Sequence, residues 1–168
     1  MNSSIDSNSQ IKKELDSLFT KAYHYLSFRS RTKKEVFDNL KAFSEKSNFS
    51  DTDINTVIKT LEEKNYINDE NFIREFVDSY SRNKPKSRFA IEFALLKKGV
   101  PRELTSEFFE NFDIDEPSLA IRALSQKWRQ FSQLDDRKKI SKSTNFLRNR
   151  GFSYEVVKRA IEELDKKE

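Results

Sequence analysis

The side chains that most often carry out chemistry are few in this sequence of 168 residues, and their spacing forms no reactive site. The only histidine, His24, lies between two tyrosines, and no carboxylate pair is spaced to complete a metal site with it. The acidic pairs at 62–63 and 135–136 are adjacent in sequence, so on a helix they point to different faces. Cysteine is absent, which excludes a disulfide, a thiolate metal site and a cysteine nucleophile. We therefore expect a protein that is not an enzyme and uses no cofactor or metal.

Glycine and proline are also scarce. The two glycines, Gly99 and Gly151, are too far apart for a phosphate-binding loop or a dinucleotide fingerprint, each of which needs glycines at close spacing. With only three prolines as well, the chain lacks the turn residues of a sandwich or barrel. The composition therefore predicts a mostly helical protein, long enough for one large domain or a few small modules.

Two basic clusters have the residue types that bind phosphate groups. Residues 82–88 hold four basic side chains, with Pro85 and Ser87 between them and no apolar side chain before Phe89. This pattern makes the segment a candidate phosphate-facing loop, and a solvated turn is the alternative. The second cluster is Arg-Lys-Lys at 137–139.

Charge alternates in blocks along the chain. Residues 21–41, 82–98 and 122–150 carry net charges of +4, +5 and +7. Residues 51–78 and 103–116 carry −5 and −6. Two interpretations stay open. Basic helices on one side of the molecule could attract a polyanion or an acidic protein surface. Alternatively, oppositely charged helices lie side by side and pair weakly.

An internal repeat organises the chain. Residues 48–50, 99–101 and 151–153 each combine a helix-stopping Asn or Gly, an apolar residue, and a helix-starting Ser or Pro. These marks are spaced by 51 and then 52 residues. A repeat of this kind predicts three copies of one helical unit.

Apolar residues recur at fixed offsets from the three marks. Helical spacing places nine of them on buried faces: Val57, Ile58, Leu61, Phe108, Phe109, Phe112, Ala160, Ile161 and Leu164. Tyr25, Phe76 and Trp128 share another repeat position. We therefore expect Trp128 in the core, the alternative being an exposed ring that stacks on a nucleobase.

The resulting fold class is all-α, with three tandem three-helix repeats. The predicted domains are a disordered tail at 1–10 and repeats at 11–67, 68–113 and 114–168. The predicted helices lie near 11–29, 32–45, 51–64, 69–82, 86–98, 102–112, 116–131, 136–149 and 154–166. Ser50 with Asp53, and Thr32 with Glu35, have the spacing of N-terminal capping boxes.

The compartment follows from what the sequence lacks. It has no run of 18 apolar residues that could span a membrane, and its polar N-terminus does not have the form of a signal peptide. A cysteine-free, Lys/Glu-rich chain fits a reducing environment. We predict a cytoplasmic protein.

Several segments resemble one known family. Residues 63–69 read Glu-Lys-Asn-Tyr-Ile-Asn-Asp and are followed by Phe72 and Phe76, as in the RecX family. Further stretches are similar to other parts of that family, namely residues 25–40, 80–99 and 146–153. The resemblance covers about residues 20–165. The sequence departs from the family at two places. Pro85 and Ser87 stand where the family often has glycines, and Asn68 stands where it usually has the first of two aspartates.

The resemblance implies a regulator of the RecA recombinase. Family members look like tandem three-helix repeats in an elongated, curved module that binds the RecA filament on single-stranded DNA and restrains it. It implies roles in homologous recombination, DNA repair and the SOS response. We further expect duplex DNA as a weaker partner, no membrane partner and a monomeric state. Asn caps helices well, so we expect the fold to tolerate Asn68.

The leading hypothesis is therefore a non-enzymatic inhibitor that docks in a nucleoprotein filament through basic side chains. It assigns filament contacts to Lys33, Lys34, Arg82, Lys84, Lys86, Arg88, Lys97, Lys98, Arg137, Lys138, Lys139, Lys142, Arg148 and Arg150. One alternative is a helix-turn-helix DNA-binding transcription regulator. Another is a helical scaffold that binds only protein.

Overall fold

The described part of the chain is all α-helical in the computed structural model. The structure describes the backbone of residues 3–45, 47 and 49–166, and the side chains from residue 15 onward in that part. Within these residues there are nine helices and no strand: α1 (Ser3–Leu26), α2 (Lys33–Ser44), α3 (Asp51–Glu63), α4 (Asp69–Arg82), α5 (Arg88–Lys97), α6 (Arg102–Glu110), α7 (Glu116–Phe131), α8 (Asp136–Arg148) and α9 (Tyr154–Asp165). The predicted all-α fold class is confirmed.

The observed helix limits agree closely with those read from the sequence. The predicted limits of α4 and α7 are confirmed, and α2, α3, α5, α6, α8 and α9 differ at their ends by one to two residues. Helix α1 begins at Ser3, whereas the sequence predicts a start near residue 11. Of the predicted tail at 1–10, residues 1–2 lie outside the described residues. The backbone of residues 3–10 is helical, and their side chains lie outside the described part of the structure.

Local capping explains where several helices begin. The Thr32 hydroxyl accepts a hydrogen bond from the Glu35 amide, and the Glu35 carboxylate accepts one from the Thr32 amide. Ser50 and Asp53 make the same reciprocal pair at α3. Asn68 accepts from the Asn71 amide at the start of α4. Both predicted capping boxes and the expected tolerance of Asn68 are therefore confirmed.

The predicted helix stops are also found where the structure describes them. Gly99 and Gly151 have φ angles of 80° and 87°, the left-handed conformation in which glycine avoids a Cβ clash. The helix stop of the first mark, Asn48, lies outside the described residues. Asn65 ends α3 with a φ of 59°, a stop that the sequence analysis did not identify. The sequence feature that indicates this stop is an Asn just after the periodic apolar residues of α3.

One compact unit, unit 1, comprises Met1–Phe72 and Lys98–Val100. In it α1 packs on α2 and α3. The core holds Leu18 from α1, Leu40 from α2 and Leu61 from α3, all fully buried. Phe49, the apolar residue of the first repeat mark, packs against this cluster. Each helix therefore contributes one apolar face, as the repeat pattern predicts.

A second compact unit, unit 2, comprises Ile73–Lys97 and Pro101–Glu168. Helix α7 packs on α8 and α9, and α5 packs on α6. Trp128 is buried, which confirms its assignment to the core and excludes it as an exposed stacking ring. The middle triplet, α4 to α6, is divided between the two units. The domain limits 11–67, 68–113 and 114–168 therefore stay a prediction.

One predicted core position is wrong. Phe112 is 43% exposed, whereas Phe109 is only 3% exposed. Helix α6 ends at Glu110, with Asn111 as its C-cap, so Phe112 lies beyond the helix and leaves its buried face. The Phe112 ring stacks on Phe108 instead, with centroids 5.1 Å apart. Of the nine predicted positions, Phe108 and Ile161 are half-buried and the other six besides Phe112 are buried.

Candidate functional site

The basic segment between α4 and α5 is anchored from within unit 2. Ser87 is buried, and its hydroxyl accepts a hydrogen bond from the Ala90 amide at 3.1 Å, which caps α5. The Ser87 amide donates to the carbonyl of Arg150 at 3.0 Å. Pro85 is buried as well. Ser87 itself is therefore unavailable to a phosphate, because its hydrogen-bonding groups are used by the fold, and a phosphate-facing role of the segment's basic side chains stays a prediction.

The same hydrogen bond joins the first basic cluster to the C-terminal end of α8, whereas the cluster at 137–139 lies in the first turn of that helix, at its other end. Because Ser87 binds Arg150, the α4–α5 segment lies against the C-terminal end of α8. Gly151 makes this approach possible, since a Cβ there would lie 2.8 Å from the Cβ of Ala90 and would also overlap the Ser87 hydroxyl. Segments that are far apart in sequence thus meet, and only the tertiary structure reveals this.

Helix α8 presents cations on its exposed side. Arg137 and Arg148 share that side with Ser141 and Asn145, because they recur every three or four residues. Lys138 and Lys142 flank them, and Lys138 pairs with Asp135 at 3.0 Å. The only acidic residue of α8 is in its first turn, so the exposed side is acid-poor.

Lys139, the third residue of the 137–139 cluster, points the other way. Its side chain is only 12% exposed, and its ammonium binds Asp165 at 2.6 Å and lies 5.5 Å from the centroid of the Trp128 ring. Arg150 is half-buried over the Phe146 ring, at 3.8 Å from its centroid, and burial lowers the pKa of its guanidinium. These two side chains are engaged within unit 2.

Arg88 is also used internally. Its guanidinium binds Glu92 at 2.6 Å, donates to the carbonyl of Phe109 at 3.2 Å and lies over the Phe109 ring. Its backbone amide donates to Glu116 at 2.7 Å. Arg88 therefore connects α5 with α6 and with the first turn of α7, and its charge is largely neutralised.

The other predicted contacts of the middle triplet have fewer partners within the protein. Arg82 pairs with Asp78 at 2.8 Å but stays exposed. The ammonium of the half-buried Lys86 lies 4.7 Å from the centroid of the Tyr80 ring, and that of the exposed Lys97 lies 4.6 Å from the centroid of Phe93. Lys84 is exposed and takes part in no ion pair within the described part of the chain.

The predicted contacts in unit 1 are ion-paired. Lys33 binds Glu62 at 3.0 Å and Lys34 binds Asp38 at 2.8 Å. Lys98 binds Glu35 at 2.8 Å. Of the three, Lys98 is the least exposed. These pairs locally neutralise the three cations.

Glu35 is the centre of this charge network. Burial disfavours its ionised form, but hydrogen bonds from Arg29, Lys98 and the Thr32 amide outweigh burial and lower the pKa of its carboxyl from 4.5 to about 2. Asp69 behaves oppositely, because burial raises the pKa of its carboxyl even though it accepts a hydrogen bond from the Lys33 amide. Both groups lie where α2 begins.

We name five of the predicted contacts in unit 2, which reach solvent and take part in no ion pair in the described part of the chain, the basic surface. It consists of Lys84, Lys86, Arg137, Lys142 and Arg148. Acid-poor surfaces of this kind attract polyanions, since side chains already paired with carboxylates contribute little.

Two aromatic residues of unit 2 were missed by the sequence analysis. Phe89 and Phe93 on α5 are exposed. The sequence feature that could have identified them is that α5 is apolar on more than one side. Ile91 and Leu95 lie on its buried side. Periodicity alone does not reveal which of two apolar sides is covered.

The described residues hold no group of three His, Asp or Glu side chains that could bind a metal. His24 is exposed and meets the ring of Phe28 edge-on at 5.0 Å. None of the helices in the part of the chain that the structure describes is long and apolar enough to cross a membrane.

Comparison with known proteins assigns the chain to a family. The family model described as the RecX second three-helix domain matches residues 68–107, and that of the third three-helix domain matches residues 114–161. The regulatory protein RecX of Prosthecochloris aestuarii is 28% identical over 158 residues, covering 94% of this chain and 97% of that protein. That of Chlorobium limicola is 34% identical over 111 residues, covering 66% and 69%.

The lengths of the relatives differ. The chain spans about half of the RecX protein of Streptococcus mutans, 54% of its length. The crystal structure of RecX from Lactobacillus salivarius shares the fold, with a TM-score of 0.74 and 24% identity, over 92% of this chain and 98% of that one. Because a 34% identical relative and two consecutive domain models agree, the chain belongs to the RecX family of regulatory proteins.

Proposed function

We propose that this chain is a non-enzymatic inhibitor of the RecA recombinase that binds the RecA filament on single-stranded DNA. In this role it would restrain homologous recombination and DNA repair, including repair in the SOS response, and act in the cytoplasm as a monomer. Membership of a family of regulatory proteins supports a regulatory role. The partner is the one that the sequence resemblance to the RecX family implies. Duplex DNA is proposed as a weaker partner.

The observation that carries the proposal is that the basic segment between α4 and α5 meets the C-terminal end of the basic helix α8 within unit 2. The hydrogen bond from the Ser87 amide to the Arg150 carbonyl holds the α4–α5 segment beside the end of α8. Basic side chains on these two elements can bind phosphates along a strand or an acidic protein face. A mechanism follows in which the module lies across the filament and blocks duplex entry, ATP turnover or filament growth.

The internal partners of the predicted contacts support a graded set of roles for them. Lys84, Lys86, Arg137, Lys142 and Arg148 form the basic surface, and Arg82, Lys97 and Lys138 are exposed beside it in sequence. Arg88, Lys139 and Arg150 are proposed as positioning residues, because each contacts groups inside unit 2. Lys33, Lys34 and Lys98 are paired with carboxylates in unit 1, so we propose them as weaker contributors.

A helix-turn-helix regulator of transcription remains the second candidate, and one observation favours it. Helix α8 carries Arg137, Asn145 and Arg148 on one exposed side, and Arg and Asn are side chains that read base edges. A recognition helix of this kind predicts tight, sequence-selective binding to duplex DNA without a recombinase. A scaffold that binds only protein predicts no effect of DNA on partner binding.

The deciding experiment is a titration of the purified chain into RecA filaments on single-stranded DNA. ATP hydrolysis is followed, and binding to the same DNA without RecA is the control. Inhibition well below the concentration that coats bare DNA is the expected result. No inhibition, or inhibition only when the DNA itself is saturated, would contradict the filament proposal. Selective binding to one duplex sequence would favour the transcription regulator.

A further inference from the structure

Helix α5 has two apolar sides, and only one of them is covered. Ile91 and Leu95 are fully buried on the inner side. On the outer side Phe89 is 72% exposed and Phe93 is 51% exposed. Large aromatic side chains exposed together on one helix side are costly in water unless a partner covers them.

The two rings are placed to act together. Phe89 and Phe93 are four residues apart, so their Cβ atoms lie on the same side of α5, roughly 5–6 Å from each other. Lys97 continues the row by one more turn, and its ammonium lies 4.6 Å from the centroid of the Phe93 ring. The outer side of α5 is therefore an aromatic row that ends in a cation.

The charges around this row indicate the kind of partner. Residues 82–98 carry six basic groups and one acidic group, Glu92. Glu92 is bound by Arg88 at 2.6 Å, so it repels an anion only weakly. Lys84 and Lys86 of the basic surface immediately precede the row. Aromatic side chains surrounded by cations match a polyanion that also carries planar rings. They match an apolar groove or helix of a protein less well.

We propose that Phe89 and Phe93 form a stacking platform for the bases of single-stranded DNA, with Lys86 and Lys97 meeting its phosphates. Bases stack on aromatic side chains without strong sequence preference, because every base has a π-face. The inference rests on the proposed function in assigning the basic surface to nucleic acid, and it adds a contact with bases that phosphate binding alone does not require.

The test compares two fluorescent 20-nucleotide strands with the same phosphates, one of thymidines and one fully abasic. The variant Phe89→Leu/Phe93→Leu keeps apolar side chains but removes both rings. Tyr154→Leu is the matched control, because Tyr154 is an exposed aromatic of unit 2 on a different helix. Circular dichroism checks that helicity is unchanged.

We expect the wild type to bind the thymidine strand roughly tenfold more tightly than the abasic strand. The double variant should lose this preference while its affinity for the abasic strand and its salt dependence stay as in the wild type. The Tyr154 variant should keep the preference. An equal affinity of the wild type for the two strands, or an undiminished preference in the double variant, would overturn the stacking proposal.

The same variants separate this inference from the proposed function. If the double variant keeps the base preference but no longer inhibits RecA filaments, the aromatic row docks a protein and the stacking proposal is overturned, while filament regulation stands. A second outcome is that the wild type binds the thymidine strand more tightly than the abasic strand, the double variant binds both equally, and neither protein inhibits RecA filaments. In that case the stacking platform stands and the filament proposal fails.

Discussion

The hydroxyl of Thr32 donates a hydrogen bond to the backbone carbonyl of Lys98 at 2.7 Å. The same hydroxyl accepts from the Glu35 amide at 3.0 Å, and the Lys98 ammonium binds the Glu35 carboxylate at 2.8 Å. One buried threonine therefore caps α2 and also fixes the residue that follows α5. This arrangement explains why residues 98–100 belong to unit 1 although the helix before them belongs to unit 2.

Glu35→Gln should destabilise unit 1 by about 1–3 kcal/mol at pH 7, because it removes a carboxylate bound by Arg29 and Lys98 at a partly exposed site. Since the folded state lowers the pKa of Glu35 from 4.5 to about 2, the stabilisation is present above 4.5 and is lost as pH falls towards 2. Urea unfolding of both proteins at several pH values measures the difference. A difference that does not shrink across this pH range would contradict the assignment.

Gly151→Ala should destabilise the protein by about 2 kcal/mol or more, because it combines an unfavourable left-handed φ with a close approach to Ala90. It should also disturb the hydrogen bond between Ser87 and Arg150, and so weaken binding to the filament. Thermal unfolding and filament titration measure the two effects. The matched control is Ala94→Gly, which changes one Ala/Gly position in the middle of α5 and should cost only about 1 kcal/mol. Equal destabilisation by both variants would show that the close approach at Gly151 is unimportant.

Phe109→Ala should lower the free energy of unfolding by about 3–5 kcal/mol, because the ring is buried and also receives the Arg88 guanidinium. Phe112→Ala is the control, since that ring is two-fifths exposed and lies beyond the end of α6. We expect the control to lose about 1 kcal/mol or less. Comparable denaturation midpoints for both variants would refute the different burial of the two rings.

Replacing Arg137, Lys142 and Arg148 together by Gln should weaken filament binding and reduce its salt dependence. For a single strand, the slope of log K against log salt falls by about 0.7 for each phosphate that the protein no longer neutralises. The charge-matched control replaces Lys158, Arg159 and Lys166 of the α9 region, which are also exposed cations. Anisotropy titrations at several salt concentrations provide the slopes. Equal reductions in affinity for the two triple variants would show that net charge, and not the α8 side, determines binding.

Lys84→Ala with Lys86→Ala should weaken filament binding while leaving the melting temperature within about 2–4 °C of the wild type. Adding Arg88→Ala should mainly lower the melting temperature, because Arg88 contacts Glu92 and Phe109 inside unit 2. Calorimetry together with filament titration separates the two kinds of effect. If the Arg88 change weakens binding further without lowering stability, Arg88 is a contact and not a positioning residue.

Most of the secondary structure could be predicted from the sequence because its causes are local. The Thr32–Glu35 and Ser50–Asp53 capping boxes need only a spacing of three residues, and they start their helices as predicted. Gly99 stops its helix through its own φ angle. The apolar positions of α3 and α9 lie inward, because a regular helix converts sequence spacing directly into a face.

The candidate site could be predicted only in part, because it depends on which side chains the packing leaves free. Basic clusters were visible in the sequence, but Lys139 turns inward to Asp165, and Ser87 is buried against Arg150. Phe89 and Phe93 were not identified, since helical spacing shows that a side is apolar but not whether a neighbour covers it.

The sequence by itself determined the helices, their caps, the repeat and the family, since each of these depends on residue types at short, fixed spacings. Only the tertiary structure decided which cations are exposed and which segments meet. Contacts such as Thr32 with Lys98 and Ser87 with Arg150 join residues far apart in the chain, and they form only when many helix faces pack at once.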